Sequence, residues 1–273
     1  MRAALIAATL TGLATGLGAL PFLFVRELPR RAYDGILGLG AGLMLAAATL
    51  GLLAEALNGV RVIPPGGVDP ALDGGRLAMV VAGFVVGVAM AAAMDRLIPH
   101  RHARGHHQHL GHAPGHDHHD HAAGHESRRG YAIVGALTIH RVPEGLAIGA
   151  GFAAVEHARL GLLLAIAVGL QNACEGIVMA APLRQGGVAA GRSVLVITLT
   201  GLATPLAAIA GAMLGVRTAP TMPFILALAA GTLIYVTSNE IIPESHSHGF
   251  EGTASSGVVA GFLLTMILGA LLP

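Results

Sequence analysis

The chain contains no lysine, so all sixteen of its basic residues are arginine, and charged residues of either sign fill only 11% of its 273 positions. An ordinary soluble domain carries about 25% charge, and this shortage excludes a water-exposed globular surface. The formal net charge is +1, which leaves no broad basic face, and motifs that read bases are missing as well, so nucleic acid is excluded as a partner. One cysteine, Cys174, excludes an intramolecular disulfide framework and a cysteine-rich zinc ribbon. No phosphate-cradling glycine loop is present, which removes nucleotide-driven chemistry. His-Glu-x-x-His is also absent, which argues against an intramembrane metalloprotease.

Hydrophobic residues make up 54% of the sequence and the mean hydropathy is +0.70, a composition that belongs in a bilayer. About 20 consecutive apolar residues cross the hydrocarbon core. Runs of that length between charged or Pro/Gly-rich breaks predict eight transmembrane helices near 3–25, 33–57, 77–99, 131–153, 158–183, 193–215, 222–243 and 254–272. The fold class is therefore an all-α membrane protein, one transmembrane domain over 1–273. Most of the 39 glycines lie inside these runs, where small residues let helices approach closely. The first run exceeds the length of a signal-peptide core and is followed, not preceded, by Arg26, Arg30 and Arg31, so it is expected to be retained.

Arginine-rich short loops stay on the cytoplasmic side. With the N-terminus outside, the inner loops collect Arg26, Arg30, Arg31, Arg96, Arg101, Arg104, Arg128, Arg129, Arg184 and Arg192, against Arg2, Arg61, Arg76, Arg159 and Arg217 outside. This distribution predicts both termini outside a bacterial inner membrane. Eleven of the fifteen histidines fall in 100–126, a Gly- and His-rich stretch that cannot bury a core. The segment 100–128 is expected to be a disordered cytoplasmic loop, and His116, His118, His119 and His121 in it can bind Zn(II), Ni(II) or Cu(II) loosely, as a buffer or sensor. A solvated spacer of drifting composition is the alternative.

Ionisable groups inside hydrocarbon cost a few kcal/mol each and are functional candidates for that reason. They concentrate in two consecutive runs, Thr138-Ile139-His140-Arg141-Val142-Pro143-Glu144-Gly145 and Gly169-Leu170-Gln171-Asn172-Ala173-Cys174-Glu175-Gly176. His140 and Glu144 are four apart, as are Gln171 and Glu175, so each pair projects from one helix face. Opposed, the faces offer an imidazole, two carboxylates and an amide oxygen, a donor set for a borderline or hard divalent ion and not for Cu(I). Pro143 removes a backbone donor and displaces the carbonyl of Ile139, which predicts a kink at the site. A network of interhelical hydrogen bonds without an ion is the plainer reading of the same residues.

The two segments resemble the paired motifs of the ZIP (Zrt/Irt-like) family of metal transporters, in its bacterial GufA-like branch, where the fourth span reads His-Asn-x-Pro-Glu-Gly and the fifth Gln-Asn-x-Pro-Glu-Gly. Each motif matches with one substitution. The likeness extends to the His-rich loop after span three, to Asp95-Arg96-Leu97-Ile98-Pro99-His100, and to Asn239-Glu240-Ile241-Ile242-Pro243-Glu244-Ser245-His246 at the end of span seven. It implies a ZIP-type bundle, a homodimer, an elevator-like alternating-access movement, and import of divalent metal from periplasm to cytoplasm. Zn2+ is the leading substrate, with Cd2+, Fe2+, Mn2+ and Co2+ also permitted by the donor set. It further implies a two-metal site: a main site of His140, Glu144, Gln171 and Glu175, and a companion site at the residue after the His, the two glutamates, Asn172 and a Glu before a Pro in span six.

Here the sequence departs from the pattern. Arg141 stands for the Asn after the His, and Thr204 for the Glu before Pro205. A guanidinium cannot ligate a metal and keeps a permanent positive charge, so the expectation is a single transported ion, with Arg141 in place of the second. Glu55 and Asn58 are candidates for the entrance. Asp95, Glu240, Glu244, His246 and His248 are candidates for the exit. Met44, Met90, Met94 and Met179 read as packing residues. A metal exporter or a non-transporting membrane metal sensor remains the alternative function.

Overall fold

The computed structural model describes residues 2–58, 61–62, 71–97, 119–153, 158–217 and 221–272. It is helical apart from one short antiparallel ladder, β1 (Arg61–Val62) with β2 (Ala71–Leu72). The helices are α1 (Arg2–Ala19), α2 (Arg30–Ala46), α3 (Ala54–Leu57), α4 (Gly74–Leu97), α5 (His119–Ala153), α6 (Ala158–Gln185), α7 (Ala190–Thr200), α8 (Ala203–Arg217), α9 (Met222–Val236), α10 (Ile242–Ser245) and α11 (Glu251–Leu271).

Among the described residues seven helical stretches are long and apolar enough to cross a membrane: Arg2–Leu23, Arg30–Leu57, Gly74–Arg96, Arg159–Gln185, Ala190–Leu214, Met222–Ser245 and Glu251–Leu271. Each coincides within a few residues with an expected run. The eighth expected run, 131–153, lies inside α5, but His140, Arg141, Pro143 and Glu144 break its apolar character. Pro143 sits within α5 without ending the helix. That helix already starts at His119 and so takes in the end of the His-rich segment, while 100–118, including His116 and His118, lie outside the described residues.

Besides a 3-10 turn at Leu20–Leu23 that follows α1, three stretches depart from a plain α-helix. A π-helical segment, Ala47–Leu53, joins α2 to α3, and a second, Thr237–Ile241, joins α9 to α10. The sixth run is broken at Gly201–Leu202, between α7 and α8. Proline is accommodated at least cost in the first turn of a helix, where its missing N–H is not needed. Pro205 takes that place as the third residue of α8.

Close packing explains the glycine content. A Cβ on Gly12 would strike the backbone oxygen of Gly201, one on Gly176 that of Thr15, one on Gly145 that of Thr204, and one on Gly149 that of Ala208. These interlocks join α1, α5, α6, α7 and α8. A second set joins α2 to α11, through Gly38 and Gly42 against the oxygens of Ala254 and Val258, and α4 to α9, through Gly83 and Gly87 against those of Phe224 and Leu228. Where the two sets meet, the contacts are of another kind. A Cβ on Gly40 of α2 would lie 3.5 Å from Cys174 Cβ and 3.9 Å from Gln171 Cγ, and one on Gly51 would lie 3.5 and 3.7 Å from the Leu164 and Leu160 side chains. Among the described residues, every glycine whose absent side chain lets two backbones interlock does so within one set.

Candidate metal site

The polar residues of α5 and α6 come together in the middle of the bundle, where the two helices pack along one another. Arg141 and Glu144 are 0% exposed, and Gln171, Asn172, Glu175, His140 and Thr204 are buried with them. So much polarity is tolerated in an apolar bundle only when its members satisfy one another. The Gln171 amide nitrogen donates to Glu144 Oε1 at 3.0 Å and to Glu175 Oε1 at 2.7 Å. Arg141 Nη2 donates to Glu175 Oε2 at 3.0 Å. One amide thus bridges both carboxylates and one guanidinium holds the second of them. Glu144 Oε2, Arg141 Nε and Arg141 Nη1 are buried with no hydrogen-bond partner among the described residues.

Of the four expected ligands, Glu144, Gln171 and Glu175 meet directly. The fourth leans elsewhere: His140 Nε2 lies 3.4 Å from Glu240 Oε1, and so joins α5 to the π-helical segment Thr237–Ile241. Glu240, expected near an exit, is therefore the neighbour of the site. A π-turn accommodates an extra residue and re-aims the side chains beyond it, which is why such turns recur at functional sites. Among the described residues no three His, Cys, Asp or Glu side chains are arranged to hold a metal ion. The donors are present, but Gln171 and Arg141 occupy every carboxylate oxygen of the pair except Glu144 Oε2.

The companion positions are split. Arg141 faces Glu175, as charge pairing requires. Asn172 turns toward α1, with Nδ2 donating to Thr11 O at 3.0 Å, while its Oδ1 and the Thr204 hydroxyl are buried without a hydrogen-bond partner among the described residues. Thr204 starts α8 beside Gly145, one turn along α5 from Arg141.

The remaining candidates are scattered. Glu55 is half-buried and Asn58 exposed at the end of α3. Asp95 accepts a hydrogen bond from Asn239 Nδ2 at 3.1 Å, and Glu244 is exposed. His246 is engaged on both ring nitrogens, Nδ1 near Ile242 O and Ser245 Oγ at 2.9 Å each and Nε2 near Ser255 Oγ at 3.0 Å. His248 Nδ1 lies 2.7 Å from Asp34 Oδ1. His119 and His121 fall on the first turn of α5. Sequence reasoning passed over Asp34, whose one signal was an acidic residue at the start of an apolar run. Met44 packs in the core, with its sulfur accepting from the Thr237 hydroxyl at 3.5 Å.

Comparison with known proteins gives a consistent result. The family profile described as ZIP Zinc transporter matches residues 92–269. "Zinc transporter GufA" of Myxococcus xanthus is 37% identical over 269 residues, 98% of each chain. "Zinc transporter ZIPB" of Bordetella bronchiseptica is 37% identical over 255 residues, 93% of this chain and 76% of that one. "Zinc transporter ZupT" of Akkermansia muciniphila is 32% identical over 266 residues, 95% of this chain and 94% of the other.

Proposed function

This chain belongs to the ZIP family, and from that premise we propose that it imports zinc from periplasm to cytoplasm through one transported-metal site, with Arg141 in place of a second ion. The observation that carries the proposal is the Arg141–Glu175 contact of 3.0 Å inside the bundle. A buried guanidinium on the very carboxylate that would bridge two metals leaves room for one. Relatives with "zinc transporter" as their name support zinc as the substrate.

The chemistry follows from the donors. A zinc ion reaching Glu144 and Glu175 has to displace the Gln171 amide hydrogens, and rotation of that amide presents its oxygen instead. Neutral His140 supplies the nitrogen donor once it leaves Glu240. The ion thus exchanges its hydration shell for two carboxylates, an amide and an imidazole, a set suited to a borderline cation. Because the ligands bind in their deprotonated forms, loading releases protons. When the ion leaves, Arg141 keeps Glu175 paired, which lowers the cost of moving the site through a low-dielectric region.

Movement is by rigid sliding of one helix set against the other. The backbone interlocks within each set, and the room for a Cβ at Gly40 and Gly51 between them, support two stiff bodies with a smooth seam at these two glycines. The seam passes beside Gln171 and Cys174, so displacement of α5 and α6 carries the ligands with it. The same reading has eight spans in an inner membrane, both termini outside, a homodimer, and a His-rich segment, 100–128, that takes up released ions. Reconstitution into vesicles with zinc on one face tests it. Uptake abolished by Glu144→Ala supports import through this site, and flux only in the opposite direction makes the protein an exporter.

A further inference from the structure

One buried acid lies outside the site described. Asp34 is 0% exposed, near the start of α2, and its Oδ1 lies 2.7 Å from His248 Nδ1, 214 residues further along the chain. The Tyr33 ring meets the His248 ring edge-on at 5.5 Å. Asp34 Oδ2 is buried without a hydrogen-bond partner among the described residues. Burying a carboxylate is costly, and an apolar pair of similar volume is often as stable or more so. A merely cohesive contact between α2 and this turn would be met by leucine and valine. What a hydrogen-bonded pair adds is direction, because only one placement of the turn satisfies it.

That turn is a short, stiff lever. Ser245 Oγ donates to Ile242 O at 2.8 Å, Ser247 N to Glu244 O at 3.1 Å and His246 N to Pro243 O at 3.2 Å. His246 Nε2 sits 3.0 Å from Ser255 Oγ on α11. Between Glu240 and His248 lie Ile241, the last residue of the π-helical segment, then α10, then the turn residues His246 and Ser247. At its far end Glu240 meets His140 at 3.4 Å.

We propose that Asp34 and His248 are positioning residues for transport: the contact of partly buried His248 with buried Asp34 clamps the turn after α10 onto α2 and so holds Glu240 against His140. The inference rests on the transport-site reading above. Loss of the clasp frees the turn, Glu240 loses its register with His140, and the hand-over of the ion slows while capture from the opposite face is unaffected.

The test is zinc uptake by the full chain in proteoliposomes, with KM and maximal rate measured separately. Asp34→Ala and His248→Ala are each expected to lower the maximal rate about tenfold, since small misplacements of a working group cost this much or more, and to leave KM within about twofold. His248→Gln, which keeps a donor for Asp34, should recover most of the rate, and it serves in place of His248→Ala should the latter fail to fold. In a Glu240→Gln background His248→Ala should add less than about a twofold loss, because residues acting in one chain are non-additive. Maximal rates within twofold of the parent for the alanine variants, or equal losses with and without Glu240, overturn the proposal. Glu144→Ala separates the two levels: if it still transports, the site reading fails and the clasp with it. If it is dead while His248→Ala is normal, the clasp alone is refuted.

Discussion

Gly40→Cys turns the seam between the two helix sets into a lock. The backbone at Gly40 would place a Cβ 3.5 Å from Cys174 Cβ, at the short end of the roughly 3.5–4.5 Å range that disulfides span. Cys174 is the only cysteine in the chain, so no background has to be cleared, and oxidation of Gly40→Cys can join α2 to α6 and nothing else within one chain. A disulfide tolerates only about 1 Å of change in that separation, far less than a rigid-body displacement that re-exposes a site on the other side of a membrane. Uptake in proteoliposomes should fall more than about tenfold on oxidation, about 1.4 kcal/mol on the barrier, and return with reductant. The parent chain should ignore both reagents. Gly40→Ala, whose methyl meets only ordinary contacts, should transport normally. Complete cross-linking with uptake inside twofold of the reduced protein would refute sliding along this seam, and so would a failure of the pair to cross-link at all.

Other expectations follow from the same geometry. Gly149→Ala drives a methyl into Ala208 O and should destabilise the bundle by about 1–3 kcal/mol, read as a lowered melting temperature in detergent, in contrast to Gly40→Ala. Arg141→Asn removes the partner of buried Glu175; breaking such a pair costs about 3–5 kcal/mol, so the melting temperature should drop in buffer and recover with added zinc. Zinc affinity should fall as pH falls, because protons compete for Glu144, Glu175 and His140, and titration at several pH values should register proton release on binding. Glu144→Gln and Glu175→Gln should each weaken zinc binding by about tenfold or more, measured by calorimetry, and restoration of parental affinity in either would remove that residue from the ligand set.

Seven of the eight runs were legible because length and apolarity alone decide whether a helix can cross hydrocarbon. The remaining expected run, 131–153, is helical within α5 but is not among the seven apolar stretches, because the polar residues at i, i+4 that mark it as a site also lower its apolarity. Spacing also placed Glu144, Gln171 and Glu175 together, since helical periodicity fixes faces before any tertiary contact is known. What spacing could not fix was which polar group answers which. Gln171 presents its nitrogen, not its oxygen, because two carboxylates need a donor between them. His140 turns to Glu240 because a π-turn, invisible in composition, re-aims that glutamate. Asn172 turns to Thr11, and Asp34 finds His248 across most of the chain, through tertiary packing that no local pattern encodes. The break at Gly201–Leu202 was in principle readable from Pro205, but an uninterrupted apolar run concealed it.

The central claim is the stoichiometry of the site. Zinc titration of the purified protein lacking residues 100–118, followed by calorimetry and by metal analysis of the isolated complex, measures it directly. One tight ion per chain, abolished by Glu144→Ala, is the predicted result. Two tight ions per chain, both lost with that substitution, would show that Arg141 does not stand in for a metal.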